Sequence, residues 1–397
     1  MSDYLLADDL SGALEAGAAF RARGTRVTLF LDERERDASL GLRVVSSETR
    51  NASQFEAHAV LCRLLAAQRA DGRRLLLKKI DSTLRGPVGA EIRALIETLA
   101  PPLIVVCPAN PAAGRTVRDG RLLVHGVPVA DTEFRTDPGW PITESQVEKL
   151  LAAAGVTVAR SVTLAELRAS RTVALPKGGG VVVSDAETDE DLRRLVSVVC
   201  ATEPKALFVG AGGLACALAA KENSELAGNA TPPAPSVRSM LFVSGSRSDR
   251  SRRQMEELRD KCEVPLHEIG ASSAPVALAE AVAGSLAACN VAALTVERDS
   301  GPVMPAEPIR WLTSVVRELI PLGPGPEMLI ATGGETARAL CTVAGIKQLE
   351  LICEFEPGVG LAEVAPSRFS NLRWIVVKPG GFGATDIWGT IRRLGKL

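Results

Sequence analysis

One short stretch of the chain concentrates cationic, acidic and hydroxyl side chains at the end of a predicted buried strand: residues 78–86 read KKIDSTLRG. Lys79 and Arg85 can hold a carboxylate through charge-assisted hydrogen bonds. Asp81 can accept a hydrogen bond from a hydroxyl or deprotonate it, and Ser82 adds a hydroxyl of its own. A helix cap with surface charges is the alternative, but it does not explain so many polar groups beside a buried strand. The stretch predicts a binding site for a hydroxylated acid.

Two further loops of the first half carry candidate site residues. Asp8 and Asp9 stand where the predicted strand Tyr4–Ala7 ends and a helical pattern begins. Capping of that helix explains one carboxylate, but not two beside the small Gly12, so a functional role is predicted. Arg50, at the end of the sequence SSETR, could complete an anion site, although a solvated arginine explains it equally well.

The second half has three glycine-bearing loops, each between a predicted strand and a predicted helix. Glycines let phosphate oxygens approach backbone N–H groups, and a helix N-terminus adds partial positive charge. Three such loops in one domain predict a nucleotide triphosphate site. The chain has neither a GxxxxGK[ST] P-loop nor the glycine-loop signature of protein kinases. The loops comprise Ser244, Gly245 and Ser246; Thr332, Gly333, Gly334, Glu335 and Thr336; and Gly380, Gly381, Phe382 and Gly383.

The apolar runs before these loops indicate the scaffold that must position them. Each run is compact and rich in Leu, Val or Ile, as expected for strands covered on both faces. Their alternation with helical patterns predicts an α/β protein of two domains, each a mostly parallel sheet flanked by helices, with the active site in the interdomain cleft. The predicted strands are Tyr4–Ala7, Arg26–Leu31, Leu75–Lys79, Leu103–Cys107, Val181–Ser184, Ala206–Val209, Met240–Val243, Val291–Thr295, Met328–Ala331, Leu349–Glu354 and Trp374–Val377.

The boundary between the two domains is predicted from composition. Residues 223–236 read NSELAGNATPPAPS, which cannot form a helix or a central strand and suits a linker. The predicted domains are therefore residues 1–222 and 239–397, joined by a Pro-rich linker at 223–238.

Two other loops of the first half have less certain roles. Gly210–Ala215 formally matches a GxGxxA dinucleotide fingerprint, but the linker begins too soon afterwards for the second strand and its ribose-binding acid. A tight strand-to-helix turn is therefore preferred. Residues 108–116 contain two prolines and a glycine with Arg115 as their cation, and packing and rigidity explain most of this loop.

Composition and charge exclude several classes of protein. The chain has 397 residues, of which 46% are apolar and 23% charged, and its net charge of −1 argues against a nucleic-acid binder. We expect no membrane partner, because no apolar stretch reaches transmembrane length and no signal peptide is recognised. The eight cysteines have no CxxC spacing and the three histidines lie far apart, which argues against a zinc site. A cytoplasmic protein with reduced cysteines is expected.

Taken together, the motifs resemble those of the four-carbon acid sugar kinases, ATP-dependent enzymes that act on threonate, erythronate or 3-oxo-tetronate. The resemblance runs from end to end of the chain and is most specific in KKIDSTLRG, TGGET and KPGGFG. Ser11 stands where the family usually has Thr, and Ala384-Thr385 stand where it more often has Asp-Pro. The matching stretches are ADDLSGA (7–13), SSETR (46–50), KKIDSTLRG (78–86), PANPAAGRTVRDG (108–120), DTEFRTDP (131–138), SGS (244–246), ATGGETARAL (331–340), EPGV (356–359) and KPGGFG (378–383).

The resemblance implies an N-terminal domain for the acid sugar and a C-terminal domain for the nucleotide, with ATP and Mg²⁺ as cofactors. By motif, the residues implied to bind the acid sugar are Asp8, Asp9, Arg50, Lys79, Asp81, Ser82 and Arg85. Those implied to bind ATP are Ser244, Ser246, Gly333, Gly334, Glu335, Thr336, Gly380 and Gly381. Asp81, Asp9 and Arg85 are the residues expected to take part in catalysis.

The expected reaction is phosphoryl transfer from ATP to a hydroxyl of the acid, expected to be the terminal one. Without a histidine motif the base must be a carboxylate, and the choice among Asp81, Asp8 and Asp9 stays open. The alternatives are an NAD(P)-dependent oxidoreductase that uses Gly210–Ala215 and a non-catalytic sensor of nucleotide or sugar acid. The sequence does not decide the stereoisomer, the position phosphorylated, the role of residues 155–200, the metal ligands, or whether the chain forms a homodimer.

Overall fold

The computed structural model describes residues 3–31, 41–137, 139–169, 173–222, 235–246, 248–297, 307–356, 358–364, 366–380 and 383–394. The chain divides into two compact units. Unit 1 consists of Met1–Val27 and Asp37–Asn229, and unit 2 of Thr28–Arg36 and Ala230–Leu397. Most of the predicted linker, residues 223–234, and Gly381 lie outside the described residues.

The elements between residues 3 and 222 alternate between strands and helices, as the apolar runs predicted. In chain order they are β1 (Asp3–Ala7), α1 (Leu10–Arg21), β2 (Val27–Phe30), β3 (Leu42–Ser46), α2 (Gln54–Ala70), β4 (Arg74–Lys79), α3 (Val88–Leu99), β5 (Ile104–Cys107), β6 (Arg115–Arg118), β7 (Arg121–Val124), β8 (Val127–Pro128), α4 (Val147–Ala153), β9 (Val158–Val162), α5 (Leu164–Ala169), β10 (Val181–Ser184), α6 (Asp189–Thr202), β11 (Leu207–Gly210) and α7 (Gly212–Glu222). Short 3₁₀ turns lie at Pro111–Ala113, Val129–Asp131 and Glu133–Thr136.

The same alternation continues between residues 240 and 394. The elements there are β12 (Met240–Ser244), α8 (Asp249–Cys262), β13 (Leu266–Ile269), α9 (Pro275–Cys289), β14 (Val291–Val296), α10 (Glu307–Leu319), β15 (Met328–Thr332), α11 (Gly334–Val343), β16 (Gln348–Glu356), β17 (Val359–Val364), β18 (Trp374–Lys378) and α12 (Ile387–Leu394). A 3₁₀ turn at Ile320–Leu322 follows α10.

The main sheet of unit 1 is parallel. Its strands lie in the order β3-β1-β4-β11-β5-β10-β9, and each neighbouring pair is parallel. Strands β5, β10 and β11 are buried along their whole length, because helices cover both faces of a parallel sheet. The carboxyl ends of β3, β1 and β4 therefore meet at one edge, where ligands bind in open α/β sheets.

Unit 1 also contains a small antiparallel sheet that the sequence reading missed. Strands β6, β7 and β8 pair in that order, and Arg115 opens β6. The strands are only two to four residues long: β6 reads RTVR, β8 has two residues, and the apolar run of β7 is only the three residues LLV.

The sheet of unit 2 is parallel at one end and antiparallel at the other. Strands β13-β14-β12-β15-β18 are parallel, whereas β18-β17-β16-β2 continue the sheet in antiparallel fashion. Strand β2 joins this unit because Phe30 pairs with Gln348 and Thr28 with Glu350 of β16. The predicted α/β class with mostly parallel sheets is confirmed, and the antiparallel extension is a feature that the sequence reading did not anticipate.

Within the part of the chain that the structure describes, every helix is too short or too polar to traverse a lipid bilayer.

Candidate active site

Three loops of unit 1 meet because their strands are neighbours in register. Ala7, the last residue of β1, pairs with Ser46 of β3 on one side and with Lys79 of β4 on the other. The residues that follow these positions are therefore brought to one edge of the sheet. They include the predicted Asp8, Asp9, Arg50, Asp81, Ser82 and Arg85.

Arg50 lies at the centre of this cluster. Its Nε and Nη2 donate to the two carboxylate oxygens of Asp8 at 2.9 and 2.8 Å, and its Nη1 donates to Asp9. Its backbone N–H donates to the carbonyl of Asp8 at 3.1 Å. The side chain is 18% exposed, and that of Asp8 is 2% exposed. Arg50 is therefore a half-buried, paired cation and not a solvated arginine.

Asp81 and Arg85 form the second pair of the cluster. Arg85 donates from Nε and Nη2 to both oxygens of Asp81, at 3.1 and 3.0 Å, and from Nη1 to Asp137 at 3.1 Å. The backbone N–H of Thr83 also donates to Asp81, and Arg50 Nη1 lies 3.9 Å from its Oδ1. Asp81 thus sits between two guanidinium groups.

The three carboxylates differ in their affinity for a proton. Burial raises the pKa of Asp9, the neighbouring Asp8 raises it further, and Arg50 offsets only part of this, so the pKa of Asp9 lies above its ordinary value. Burial also acts on Asp8, but Arg50 outweighs it and the pKa of Asp8 is lowered. Burial opposes ionisation of Asp81, yet Arg85 and Arg50 hold its pKa far below the usual range. Asp9 is the carboxylate best suited to accept a proton.

Lys79, the last residue of β4, also belongs to this cluster. Its Nζ forms an ion pair with Glu15 of α1 at 2.8 Å and donates to the carbonyl of Ile80 at 3.2 Å. Burial lowers the pKa of Lys79, but Glu15 and Asp8 raise it above the ordinary value, so the ammonium stays charged. Ser82 lies in the same loop with its side chain half-buried.

Gly12 keeps space open beside the carboxylates. A Cβ at this position would lie 2.9 Å from Asp9 Oδ1, 3.3 Å from Lys79 Nζ and 3.4 Å from Asp8 Oδ1. Asp9 is the N-cap of α1, and its Oδ1 accepts from the backbone N–H of Gly12 at 2.6 Å. Asp9 therefore both caps α1 and belongs to the cluster of charged side chains.

The sequence reading missed a buried network beneath Arg50. Lys78 and Glu91 are 0% and 1% exposed and form an ion pair of 2.9 Å. Thr49 Oγ1 donates to the other oxygen of Glu91 at 2.5 Å, and Ser47 Oγ lies 2.7 Å from Thr49 Oγ1. This network fixes the loop that carries Arg50. In the sequence, only the doubled lysine at the end of β4 pointed to this network. Its partner Glu91 lies on a different element, α3.

The glycines of Gly210–Ala215 pack against protein. A Cβ at Gly210 would lie 2.2 Å from the carbonyl oxygen of Cys107, and one at Gly212 would lie 2.2 Å from Glu15 Oε1. One at Gly213 would lie 2.9 Å from the carbonyl oxygen of Ala109. These glycines permit close packing of α7 on its neighbours, which agrees with a tight strand-to-helix turn.

In unit 2, the three predicted glycine-bearing loops follow adjacent parallel strands. Ser244 at the end of β12 pairs with Thr332 of β15, which pairs with Lys378 of β18. A Cβ at Gly245 would lie 2.3 Å from Thr336 Oγ1, and one at Gly380 would lie 2.5 Å from Ser246 Oγ. The three loops are therefore close together, and a larger residue at either position would have to displace the Thr336 or Ser246 hydroxyl.

Helix α11 begins within the second loop. Gly333 is its N-cap with a φ of 99°, in the region that favours glycine, and Gly334 is its first residue. Glu335 and Thr336 lie in the first turn, where unpaired backbone N–H groups create an anion-binding environment. Thr336 is buried, whereas Glu335 is exposed.

Lys378 holds the third loop from within the protein. Its Nζ donates to the carbonyl oxygens of Pro379 at 2.9 Å and Gly380 at 3.2 Å, and lies 5.5 Å from the ring centre of Trp388. Burial, with a smaller contribution from Arg250, lowers the pKa of Lys378 to about 8. The ammonium group therefore changes its charge near physiological pH.

A cavity of about 260 Å³ lies between the start of α8 and the chain that follows the third glycine loop. Two arginines line it, which the sequence reading did not single out even though the sequence RSDRSRR follows SGS. Its lining residues are Asp249, Arg250, Arg253, Gly383, Ala384 and Thr385.

One histidine, His58, lies one helical turn from a cysteine, Cys62, on α2. Among the described residues, His58 and Cys62 of α2 and Glu97 of α3 bring three potential metal-ligand atoms within 4.8 Å of one another. His58 Nε2 lies 2.8 Å from Glu97 Oε2, so the pair already forms a hydrogen bond. The sequence reading overlooked the group because Glu97 comes from another helix.

Comparison with known proteins identifies relatives along the whole length of the chain. A family model described as a sugar-binding N-terminal domain matches residues 4–218, and one described as a nucleotide-binding C-terminal domain matches residues 241–387. A protein of Cupriavidus necator named D-threonate kinase is 33% identical over 97% of this chain and 95% of its own length. A Burkholderia multivorans protein named 3-oxo-tetronate kinase is 25% identical over 96% of this chain and 95% of its own.

A solved structure from Salmonella typhimurium LT2 has the same fold, with a TM-score of 0.83 at 22% identity over 99% of each chain. The match of both family models and of a full-length relative at 33% identity shows where the chain belongs. It is a member of the four-carbon acid sugar kinases, phosphotransferases that use an alcohol group as the acceptor.

Proposed function

We propose that this kinase transfers the γ-phosphoryl group of ATP to the terminal hydroxyl of a four-carbon sugar acid, with D-threonate as the first substrate to test. The observation that carries the proposal is the convergence of Asp8, Asp9 and Asp81 with Arg50 and Arg85 at the end of three parallel strands. The higher identity to a relative named D-threonate kinase than to one named 3-oxo-tetronate kinase supports the choice of substrate.

Unit 1 is proposed to bind the acid sugar. Arg50, Lys79 and Arg85 provide cationic donors that are held rigidly by Asp8, Glu15 and Asp81. Rigid donors keep the reacting hydroxyl in place, which supplies most of the catalysis in phosphoryl transfer. Ser82 lies in the same loop and adds a hydroxyl that can bind the sugar.

Asp9 is proposed as the general base. Of the three clustered carboxylates it is the one whose pKa is raised, so it accepts a proton more readily than Asp8 or Asp81. Its carboxylate would take the proton of the attacking hydroxyl, while Asp81 and Arg85 hold the acid sugar.

Unit 2 is proposed to bind ATP. Backbone N–H groups and hydroxyls of the glycine loops would hold the phosphates, and Lys378 supplies a positive charge among them. The hydroxyls of Ser244 and Ser246 and the carboxylate of Glu335 are oxygen donors of the kind that Mg²⁺ takes, so these residues fit a metal–nucleotide complex. Mg²⁺ would neutralise phosphate charge when bound. The proposed ATP-binding residues remain Ser244, Ser246, Gly333, Gly334, Glu335, Thr336, Gly380 and Gly381.

The proposal is tested by incubating the purified protein with Mg-ATP and each tetronate stereoisomer and its 3-oxo form, and measuring ADP release. Turnover of D-threonate that is lost in both Asp81→Asn and Arg85→Ala is the expected result. Unchanged kcat/KM in both variants would contradict the site assignment.

A further inference from the structure

The proposed sugar-acid site of unit 1, called the acid site below, contains more negatively than positively charged side chains. Arg50, Lys79 and Arg85 are each already paired with carboxylates of the protein. Because a sugar acid adds one more negative charge, its carboxylate needs a cation that is not already neutralised. The carboxylates paired with the three cations are Asp8, Asp9, Asp81, Asp137 and Glu15.

Arg115 meets this requirement. Among the residues that the structure describes, no carboxylate lies within ion-pair distance of its guanidinium. Its Nη1 donates to the carbonyl oxygen of Ala113, and its Nε is buried without a hydrogen-bond partner. The residue is half-buried, and desolvation lowers the pKa of its guanidinium, although Asp81 and Glu133 act in the opposite direction. A half-buried cation with an unused donor is a natural receptor for an anion.

Arg115 lies beside the acid site and shares an aromatic neighbour with it. The guanidinium carbon of Arg115 lies 6.0 Å from the ring centre of Phe134, and that of Arg85 lies 5.3 Å from the same ring. Cations at these distances are attracted to the ring, which limits their movement. Phe134 thus places the uncommitted arginine next to the one that holds Asp81.

The backbone of Arg115 is also fixed. Asn110 and Arg115 exchange two backbone hydrogen bonds, of 2.9 and 3.1 Å. The side-chain amide of Asn110 donates to Glu15 Oε1 at 3.0 Å, and Glu15 pairs with Lys79. Strand β6, which begins at Arg115, is therefore linked through Asn110 and Glu15 to Lys79 in the acid site.

We propose that Arg115 binds the carboxylate of the sugar acid and sets the preference of the enzyme for acids over neutral polyols. This inference rests on the proposed function, because it assigns one group of that substrate to one residue. The planar guanidinium presents N–H donors in a fixed fork that matches a carboxylate, and its Nη2 makes no hydrogen bond within the described part of the chain. In this assignment, Arg50 and Arg85 position the hydroxyl groups of the sugar acid.

The test compares Arg115→Met with the wild type. Titration calorimetry with D-threonate should show a Kd raised about 10- to 100-fold, since a charge-assisted contact is lost. The kcat/KM ratio of D-threonate to D-threitol, which has a neutral CH₂OH in place of the carboxylate, should fall by a similar factor, with the KM for ATP unchanged. Arg115→Lys should be intermediate, because it keeps the charge but not the planar fork.

Arg118→Met is the matched control, because Arg118 lies on the same strand, is exposed and pairs with Glu187. It should leave both measurements unchanged. An unchanged Kd in a folded Arg115→Met, or equal losses for the acid and the polyol, would overturn the inference. Absence of wild-type turnover with any tetronate would instead overturn the proposed function, while the calorimetric titration would still test Arg115.

Discussion

The guanidinium of Arg50 donates two hydrogen bonds to the two carboxylate oxygens of Asp8, at 2.9 and 2.8 Å, inside unit 1. The residues are 42 positions apart in sequence, and the pair links the loop after β1 to the loop after β3. A pair of this kind fixes geometry more than it adds stability. Removal of Asp8 would leave Asp9 as the hydrogen-bonded carboxylate partner of Arg50. The pair can therefore be tested through both folding and activity.

Asp8→Asn should lower the free energy of unfolding by about 1 to 3 kcal/mol, because Arg50 loses charge-assisted hydrogen bonds to Asp8 while its bond to Asp9 remains. Activity should fall as well, since Arg50 no longer has a fixed orientation. Urea denaturation and steady-state kinetics measure the two effects. Asp3→Asn is the control: its pair with Arg74 is partly exposed, and its loss should change stability by less than about 1 kcal/mol. Equal effects of the two variants would show that burial of the Asp8 pair is unimportant.

The assignment of Asp9 as base predicts a particular pH dependence. Only the ionised carboxylate accepts a proton, so kcat/KM should rise with pH as Asp9 ionises, with a midpoint above its ordinary pKa of 3.8. Asp9→Asn should lower kcat by about 10²- to 10⁴-fold and remove this acidic limb. The profile is measured at saturating ATP.

Asp81→Asn provides the comparison for this profile. The pKa of Asp81 is lowered, so Asp81 stays ionised throughout the acidic limb and its removal should reduce activity without moving the limb. If the limb persisted in Asp9→Asn and disappeared in Asp81→Asn, the two roles would be reversed.

Much of the charged cluster of unit 1 could be predicted from the sequence, because the loops at the carboxyl ends of neighbouring parallel strands lie together. Asp8, Lys79 and Asp81 were placed at these strand ends in this way. The sequence could not show that Arg50 is central to this cluster, because an arginine in a loop has the same sequence pattern whether it is solvated or paired with two carboxylates. Glu91 was hidden for a related reason: its partners lie on β4 and on the loop after β3, and no local pattern links them.

The fold could be predicted to the level of class but not of strand order. Compact apolar runs marked the buried parallel strands. Strands β6, β7, β8, β9, β13 and β17 were not predicted. Of these, β6 reads RTVR and β9 reads VARSV, so polar residues interrupt the apolar run that marks a buried strand. The pairing of β2 with β16 depends on contacts between residues more than 300 positions apart, and sequence periodicity carries no information on such partners.

Gly12→Ala should separate activity from stability. The added methyl group would lie 2.9 Å from Asp9 Oδ1 and displace that carboxylate, and a shift of about 1 Å in a reacting group can lower the rate about 100-fold. Stability should fall by less than about 2 kcal/mol, because the preference for alanine within a helix offsets part of the weakened Asp9 cap. Thermal unfolding and kcat measure the two effects.

Gly284→Ala is the control for this substitution, since Gly284 lies in α9 with no atom within 4 Å of the added carbon. It should keep full activity. Normal turnover by Gly12→Ala would mean that the space above the carboxylates is not used by the substrate.

Lys378 predicts how ATP affinity changes with pH. Its pKa is lowered to about 8, so the ammonium form dominates at pH 7 and is mostly lost at pH 9. Phosphates bind the charged form better, so affinity should fall as pH rises, with about tenfold weaker binding at pH 9 than at pH 7. Fluorescence titration with a nucleotide analogue at several pH values measures this effect.

Substitutions at Lys378 measure how much this residue contributes to the pH dependence of ATP binding. Lys378→Met should bind ATP weakly at all these pH values, and Lys378→Arg should bind it without the loss at pH 9, because a guanidinium stays charged there. Lys261→Met is the control, as this lysine of unit 2 is exposed and pairs with Glu257. A pH dependence that survived in Lys378→Met would assign the titration to another group and leave Lys378 a purely structural role in holding the carbonyls of Pro379 and Gly380.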